Sequence, residues 1–472
     1  MTASAVRFAR FAADTAHRGL GREERTRAAT WMLDTVGVML AGRTCPTGRQ
    51  VAEVVAGRAG KGAATAIGVA EPLPAADAAL VNGTLAHSLD FDDTHLPSVL
   101  HPSASVVPAA LAVAQETAAS PARLLDALTL GNELNVRLGM AGYDTVLGNS
   151  QYFERGQHAT AICGALGAAL AAGVLYGLDA DGLAHAVGIA ASMGSGLLEA
   201  NRTGGTVKRV HCGWAAHSGI TAAQFALGGL TAPPTVLDGR FGFLRAWLDE
   251  PADPEAVTRD LGDHWESARI QIKPYPCNHF LHAAVDAALQ LRRRGLRVDD
   301  IEAVEAAFPT AVLRTVAEPA EVKKAPADGY AAKFSAPYVI ATALLGGAGL
   351  GVGLADFTDE AVTDPARLAL AARVRCAADP VCDTLFPRSL PAGLLVRIRG
   401  GQEGMLAHVP VSRGGEGNEL GPDDLLAKFH DNAALVMPEE RGRELGALLA
   451  ALPEVTGEGE RETARLAALL TV

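Results

Sequence analysis

The chain has 472 residues, of which 49% are hydrophobic and only 5% aromatic. This length predicts two domains, and a core poor in aromatics must be built from Ala, Val, Leu and Gly, which favours closely packed helices. The 41 basic and 53 acidic residues give a net charge of −12, and no run of Lys and Arg is interleaved with aromatics. We therefore do not expect nucleic acid or anionic membranes as partners.

Helical spacing dominates the first half of the chain. Between Arg22 and Leu40 the apolar positions recur with helical periodicity, and Gly42 supplies a stop. Further helices are predicted at Ala75–Asp90, Ser103–Thr117, Ala122–Gly139, Ala159–Tyr176, Asp181–Leu198 and Trp214–Leu227. Nothing before about residue 265 alternates as a strand, so this part is predicted to be all-α. The nearly uncharged stretch Ala159–Leu178 is rich in Ala and Gly, which indicates a helix buried in a bundle rather than a membrane span.

The pattern changes after Trp265. Strands are predicted at Ile301–Phe308, Ala371–Cys376 and Leu394–Ile398. The segment Gly400–Gly404 is typical of a hairpin turn that leads into Leu406–Val411. Helices are predicted between these strands at His282–Arg294 and Phe334–Leu345, and helical spacing returns from Pro422 to the end. The predicted fold is mainly α: a large all-helical domain (residues 1–268 and 418–472) with an inserted, smaller α+β lid domain (residues 269–417).

The six cysteines show no CxxC or zinc-ligand spacing, which indicates free thiols in a reducing, cytoplasmic compartment. HExxH, a GxSxG elbow and a GxGxxG turn after a strand are also absent from the sequence. No metal and no cofactor are therefore expected. The chemistry that remains is acid and base catalysis by side chains.

An acidic segment is the first candidate site. Three carboxylates within four residues are followed by a hydroxyl and an imidazole, namely Asp90, Asp92, Asp93, Thr94 and His95. A calcium loop would need Gly and Glu where His95 and His101 stand, and a DDxxD magnesium motif fails because its fifth position is Leu96. Another interpretation is a solvated acidic helix end.

Further polar residues stand at helix starts and junctions. His101 lies just before a predicted helix and near the carboxylates, where an imidazole can be tuned as an acid or base. His158 opens an Ala-rich helix, and Lys208 stands between a glycine turn and an apolar helix. Lys273 lies at the predicted domain junction, where a cation would face a cleft. Each alone is also compatible with a structural or surface role, as are the weaker candidates His211, His217, His279 and His282.

Seven segments in this order, from about residue 30 to about residue 335, resemble the MmgE/PrpD family. They are Leu33–Gly37 with Leu40–Gly42, Asn82–His95, His101–Ser103, Gly205–Lys208 with Gly213–His217, Leu237–Gly239, Lys273–Pro276 and Ala332–Ser335. The family includes 2-methylcitrate dehydratase, cis-aconitate decarboxylase and iminodisuccinate epimerase. The resemblance implies a helical domain interrupted by an α+β lid, a homodimer, and an active site between the domains.

The resemblance also implies the site residues. It carries over Asp90, Thr94, His101, His158, Lys208 and Lys273, to which Asp93 and His279 are added as further candidates. The decarboxylase branch also uses a tyrosine shortly before the Lys333–Ser335 motif. Residues 322–326 contain no tyrosine, so Tyr330 or Tyr338 would have to take its place.

These residues predict a cofactor-independent lyase. Lys208 and Lys273 would bind two carboxylates of a small di- or tricarboxylate, and His101, oriented by Asp90, would move the proton next to a carboxylate. Thr94 and His158 would position the β-hydroxyl or assist its departure. The reaction that the resemblance implies first is dehydration of a 2-methylcitrate-like hydroxy acid. Epimerisation or decarboxylation of a related polycarboxylate, and a catalytically silent scaffold subunit, are the alternatives.

Overall fold

The computed structural model describes residues 3–146, 148–248, 252–400, 403–455 and 460–471. The chain divides into two compact units, Met1–Ile270 with Phe429–Val472, and Gln271–Lys428. It is mainly helical with a small sheet, as predicted. The role of the second unit as a lid stays a prediction.

The first unit is a helical assembly. Before residue 271 its helices are α1 Ser4–Arg18, α2 Arg22–Gly42, α3 Pro46–Arg58, α4 Ala75–Ala86, α5 Ser103–Glu116, α6 Pro121–Met140, α7 Gln151–Glu154, α8 Ala159–Leu175, α9 Ala180–Ala191, α10 Ala200–Thr203, α11 His211–Leu227 and α12 Phe243–Trp247. Toward the C-terminus, helix α20 Pro422–Ala433 begins in the second unit and enters the first at Phe429. It is followed by α21 Glu439–Ala451 and α22 Glu460–Leu470. Helix α21 packs on α2, and α22 contacts α5 and α6.

Helix α8 is the centre of this unit, because every residue from Ala159 to Leu175 is buried. It packs against α5, α6, α9 and α11. Its contact with α6 depends on small residues: a Cβ atom on Gly167 would lie 2.7 Å from the carbonyl oxygen of Gly131. The nearly uncharged stretch that begins at Ala159 therefore forms a helix buried inside this unit. No helix in the described ranges is long and apolar enough to cross a membrane.

Three sequence predictions for this unit are wrong in detail. The helix predicted at Asp181–Leu198 ends at Ala191, the last residue of α9. A short antiparallel pair, β1 Tyr143–Asp144 and β2 Asn149–Ser150, interrupts the part predicted to be all-α. Helix α4 ends at Ala86 rather than at Asp90, since His87 leaves the helical conformation and Asp90 has a φ of 54°. The left-handed φ turns the chain, and Asp is one of the residues that tolerate it.

The second unit contains a four-stranded sheet in the order β4-β3-β5-β6. Its strands are β3 Ile301–Phe308, β4 Val374–Ala378, β5 Ala392–Ile398 and β6 Met405–Val409. Strand β3 pairs with β4 in parallel and with β5 antiparallel, and β5 pairs with β6 antiparallel. The predicted hairpin is confirmed by the last pairing, although Gly401 and Gln402 of its turn lie outside the described residues.

The second unit combines this sheet with helices, in the manner of an α+β fold. They are α13 His282–Arg293, α14 Thr310–Val316, α15 Ala320–Lys324, α16 Gly329–Ala332, α17 Ala336–Leu345, α18 Pro365–Ala371 and α19 Pro380–Leu385. Helix α13 packs on β5 and β6, and α17 packs on α13 and β4. The strand predicted at Ala371–Cys376 begins later, at Val374, because Ala371 is the last residue of α18.

Candidate active site

The acidic segment lies in the loop between α4 and α5, and its polar side chains are buried. The buried residues are His87, Asp90, Asp92, Asp93, Thr94 and His95, and both Asp92 and Asp93 are 0% exposed. The alternative of a solvated acidic helix end is therefore wrong. Burying carboxylates costs free energy unless they are paired or protonated.

Asp92 is paired with His87, a residue that the sequence analysis did not single out. Oδ2 of Asp92 lies 2.7 Å from Nδ1 of His87, and the two side chains are 0% and 1% exposed. An ionised carboxylate only accepts, so Nδ1 of His87 carries the hydrogen. Nε2 of His87 is buried without a hydrogen-bond partner among the described residues. Its spacing of five residues from Asp92 across a helix end is not specific enough to select His87 from the sequence.

His101 is held by the main chain. Its Nδ1 lies 2.6 Å from the carbonyl oxygen of Asp93 and 3.4 Å from Oγ1 of Thr94. A carbonyl oxygen only accepts, so Nδ1 carries a hydrogen and Nε2 of the neutral ring is the basic atom. The main-chain N–H of His101 donates to Oγ1 of Thr160 at 3.2 Å, which ties the loop to α8. Orientation of His101 by Asp90 stays a prediction.

Four imidazole rings contact one another in succession, and we call them the histidine cluster: His101, His87, His158 and His211. The ring centroids are 5.6 Å apart from His101 to His87, 5.2 Å from His87 to His158, and 5.1 Å from His158 to His211. Nδ1 of His158 lies 3.0 Å from Nδ1 of His211. The structure thus brings together His101 and His158, adds His87, and gives the weak candidate His211 a direct partner.

Burial and neighbouring cations act on this cluster. Burial, then the charges of His87 and Lys208, lower the pKa of His158 well below its usual 6.5. The same causes lower the pKa of His211 to about 4. Lys208 lies in the 3-10 turn Val207–Val210, directly before α11. The predicted Lys208 is therefore close enough to these rings to affect their protonation.

Asp93 sits at the start of α5. Its Oδ1 accepts from the main-chain N–H of Ser103 at 3.2 Å, the position where a helix favours negative charge. Burial nevertheless raises the pKa of Asp93 to about 7. The negative charges of Asp34 and Asp92 raise this pKa further, whereas the hydrogen bonds from Ser103 lower it. This carboxyl group can therefore change its charge near neutral pH.

Asp93→Asn is expected to gain thermal stability relative to the natural chain as the pH rises. A raised folded-state pKa means that the contribution of Asp93 is complete below about pH 4 and is lost as the pH rises to about 7. The change from 3.8 to about 7 corresponds to ~4 kcal/mol. Asparagine cannot ionise, and its Oδ1 can still accept from Ser103.

The measurement is the Tm of Asp93→Asn minus that of the natural chain, between about pH 4.5 and 8. We expect this difference to increase by several degrees across the range. The matched control is Asp14→Asn, at an exposed position of α1, for which the difference should stay constant. A constant difference for Asp93→Asn as well would contradict the raised pKa.

The remaining predicted site residues lie in the second unit. Lys273 is 1% exposed and His279 is also buried, with its ring centroid 4.5 Å from that of His282. Tyr338 is committed to the core of this unit, because its hydroxyl donates to the carbonyl oxygen of Asp356 at 2.7 Å. Tyr330, on α16, is 38% exposed. Of the two tyrosines considered, Tyr338 thus already uses its hydroxyl group in a hydrogen bond within the second unit.

No group of three or more His, Cys, Asp or Glu side chains within the described ranges is arranged to hold a metal ion. In the histidine cluster, Nδ1 of each of the four rings already takes part in a hydrogen bond. Its arrangement suits the exchange of protons between side chains and a bound acid.

Comparison with known proteins identifies the family. The chain matches the MmgE/PrpD N-terminal domain over residues 6–255 and the MmgE/PrpD C-terminal domain over residues 275–452. The chain therefore belongs to the MmgE/PrpD family. The histidine cluster lies within the N-terminal match, and Lys273 lies just before the C-terminal one.

Several relatives are decarboxylases. The chain is 32% identical over 280 residues to cis-aconitate decarboxylase of Aspergillus terreus, which covers 57% of this chain and 56% of the relative. It is 33% identical over 227 residues to cis-aconitate decarboxylase of Homo sapiens, covering 47% and 45%. The match to the enzyme of Mus musculus is 29% over 261 residues, covering 50% and 51%. The chain thus spans about half the length of these relatives.

Proposed function

We propose that this protein is a cofactor-independent lyase that acts on a small di- or tricarboxylate. The observation that carries the proposal is the histidine cluster with Lys208 beside it. Lys208 supplies a cation for a substrate carboxylate, and His101 supplies a basic Nε2 with a fixed orientation. Lys273 is included as a second carboxylate-binding residue because of the family resemblance.

Decarboxylation of an unsaturated tricarboxylate such as cis-aconitate is the first candidate reaction. It is supported by the names of the relatives from Aspergillus terreus and Homo sapiens. Loss of carbon dioxide leaves an electron pair on carbon, which a positioned acid must protonate. An imidazole cluster next to a cation meets that requirement.

Dehydration of a hydroxy acid is the second candidate. Elimination of water requires a base for the C–H proton and an acid for the departing hydroxyl group. His101 fits the role of base through Nε2, and Thr94 lies 3.4 Å from the same ring. The cluster contains further imidazoles that could act as the acid. Epimerisation would use the same base without a leaving group.

Proton NMR in D₂O separates these reactions in one experiment. The natural chain is incubated with cis-aconitate, 2-methylcitrate and related acids, and each acid is followed for loss of carbon dioxide, loss of water or exchange of a C–H proton. We expect turnover or exchange with at least one acid. Absence of any change, together with no thermal stabilisation by any acid, would contradict the proposal and favour a scaffold subunit.

A further inference from the structure

The contact between His158 and His211 limits how the two rings can be protonated. Their Nδ1 atoms lie 3.0 Å apart, so one nitrogen must donate and the other must accept. The contact therefore contains one hydrogen, shared between two rings. If both rings were doubly protonated, two N–H groups would point at each other, so the pair can carry at most one extra proton.

The two rings differ in their access to water. His158 is 5% exposed, whereas His211 is only half-buried, at the start of α11. The charged or titratable groups that act on His158 are His87, Lys208, His211 and His101, and those that act on His211 are His87 and Lys208. A proton can thus reach the pair from solvent through His211, whereas the ring of His158 lies within the histidine cluster.

The backbone fixes this pair in place. The main-chain N–H of His158 donates to the carbonyl oxygen of Gly196 at 3.0 Å. A Cβ atom added at Gly196 would lie 3.0 Å from Cβ of His158 and 3.3 Å from Nδ1 of His211, and Gly196 has a φ of 154°. Glycine is therefore required where the main chain closes on both rings.

We propose that His211 is a positioning residue that donates its Nδ1 hydrogen to Nδ1 of His158, so that His158 presents Nε2–H as the proton donor of the site. The assignment rests on the proposed lyase function. It makes His101 and His158 complementary, because His101 has a basic Nε2 and His158 an acidic one. His211 acts only through His158.

In a decarboxylation, this pair would supply the proton that replaces carbon dioxide on the substrate carbon. The C–C bond breaks, carbon dioxide leaves, and the electron pair remains on the substrate carbon. That pair takes the Nε2 proton of His158, while Nδ1 of His158 takes the Nδ1 proton of a protonated His211. Both rings are then neutral, with the shared hydrogen on Nδ1 of His158. After the product leaves, Nε2 of His158 takes a proton from a hydronium ion of the solvent, and the shared hydrogen returns to Nδ1 of His211, which restores the protonated pair. The negative charge of the bound polycarboxylate favours the protonated pair.

The first test is kinetic and uses the natural chain, His211→Ala, Gly196→Ala and His217→Ala. We expect His211→Ala to lower kcat about 100-fold with little change in KM, because Nδ1 of His158 loses the hydrogen-bond donor that holds its Nε2–H tautomer, whereas substrate binding is kept. Added imidazole should restore kcat at least about tenfold in His211→Ala, because the missing ring is partly exposed. Gly196→Ala should lose activity without rescue, since both rings are still present.

His217→Ala is the matched control. It lies on the same helix, is also half-buried, and stacks on Trp214 with centroids 5.3 Å apart, so it shares the setting of His211 without the contact to His158. Its kcat should be unchanged. Natural kcat and an unchanged pH profile in His211→Ala would overturn the inference.

The second test does not need turnover. In protein labelled with ¹⁵N-histidine, the signals of His158 are assigned by their loss in His158→Gln. The inference predicts an unprotonated Nδ1 and a protonated Nε2 in the natural chain, and a changed tautomer in His211→Ala but not in His217→Ala. The opposite tautomer, or signals that His211→Ala leaves unchanged, would overturn it. If no acid reacts, the proposed function fails, and this spectrum still decides the role of His211.

Discussion

His101→Asn is expected to reduce kcat about 1000-fold while the protein stays folded. Removal of a general base or acid typically costs 10²- to 10⁴-fold. Asparagine is chosen because its Nδ2 can take the place of Nδ1 and still donate to the carbonyl oxygen of Asp93, the contact that holds the ring at 2.6 Å. The variant therefore lacks the basic Nε2 but keeps the anchor.

The measurement is steady-state turnover of whichever acid the natural chain accepts, together with the Tm of both proteins. His217→Asn serves as the control, since it makes the same chemical change at a half-buried position of α11. Turnover of His101→Asn within a factor of about three of the natural rate would contradict a proton-transfer role for His101. A large loss of Tm would instead indicate a structural role.

Lys208→Met is expected to lower kcat/KM about 50-fold, mostly through a higher KM. A hydrogen bond to a charged group contributes roughly 1.5–3 kcal/mol, which corresponds to about 10- to 150-fold in affinity. Methionine keeps the length of the side chain and removes the cation. The same change should raise the pKa of His158 and His211, because Lys208 contributes to lowering both.

Arg209→Met is the matched control for Lys208→Met. The two variants lose the same formal charge at neighbouring positions of one turn, but Nη1 of Arg209 donates to Oγ1 of Thr47 at 3.1 Å. Long-range electrostatics would affect both variants alike, whereas a direct contact with the substrate would affect only Lys208→Met. Equal losses in the two variants would contradict the assignment of Lys208.

The sequence predicted the helical elements well where burial is uniform. Helix α8 was expected at Ala159–Tyr176 and extends over Ala159–Leu175, because a helix that is apolar all round leaves little ambiguity. The end of α4 was missed by four residues. Local periodicity continues to Asp90, but the chain leaves the helix at His87 and buries Asp92 against His87, a contact that helical periodicity does not encode.

The candidate site likewise contains residues that the sequence could identify and residues that it could not. His101, His158 and Lys208 carry motifs in which a polar residue stands at a helix start, so they could be selected from the sequence. His87 could not, because a single His at the end of an apolar helix is usually structural. Its importance follows from the three other imidazole rings of the cluster. Each ring centroid lies less than 6 Å from the centroid of the next ring. His211 was a weak candidate until its Nδ1 contact with His158 was known.

The central claim is that a polycarboxylate binds at the histidine cluster of the first unit. Titration of ¹⁵N-histidine-labelled protein with tricarballylate, a saturated tricarboxylate without a reactive double bond or hydroxyl group, tests it most directly. We predict that the ring signals of His101 and His158 shift to saturation and that Lys208→Met weakens this binding at least about tenfold. Saturation that leaves these two rings unchanged, or binding that Lys208→Met does not weaken, would contradict the claim.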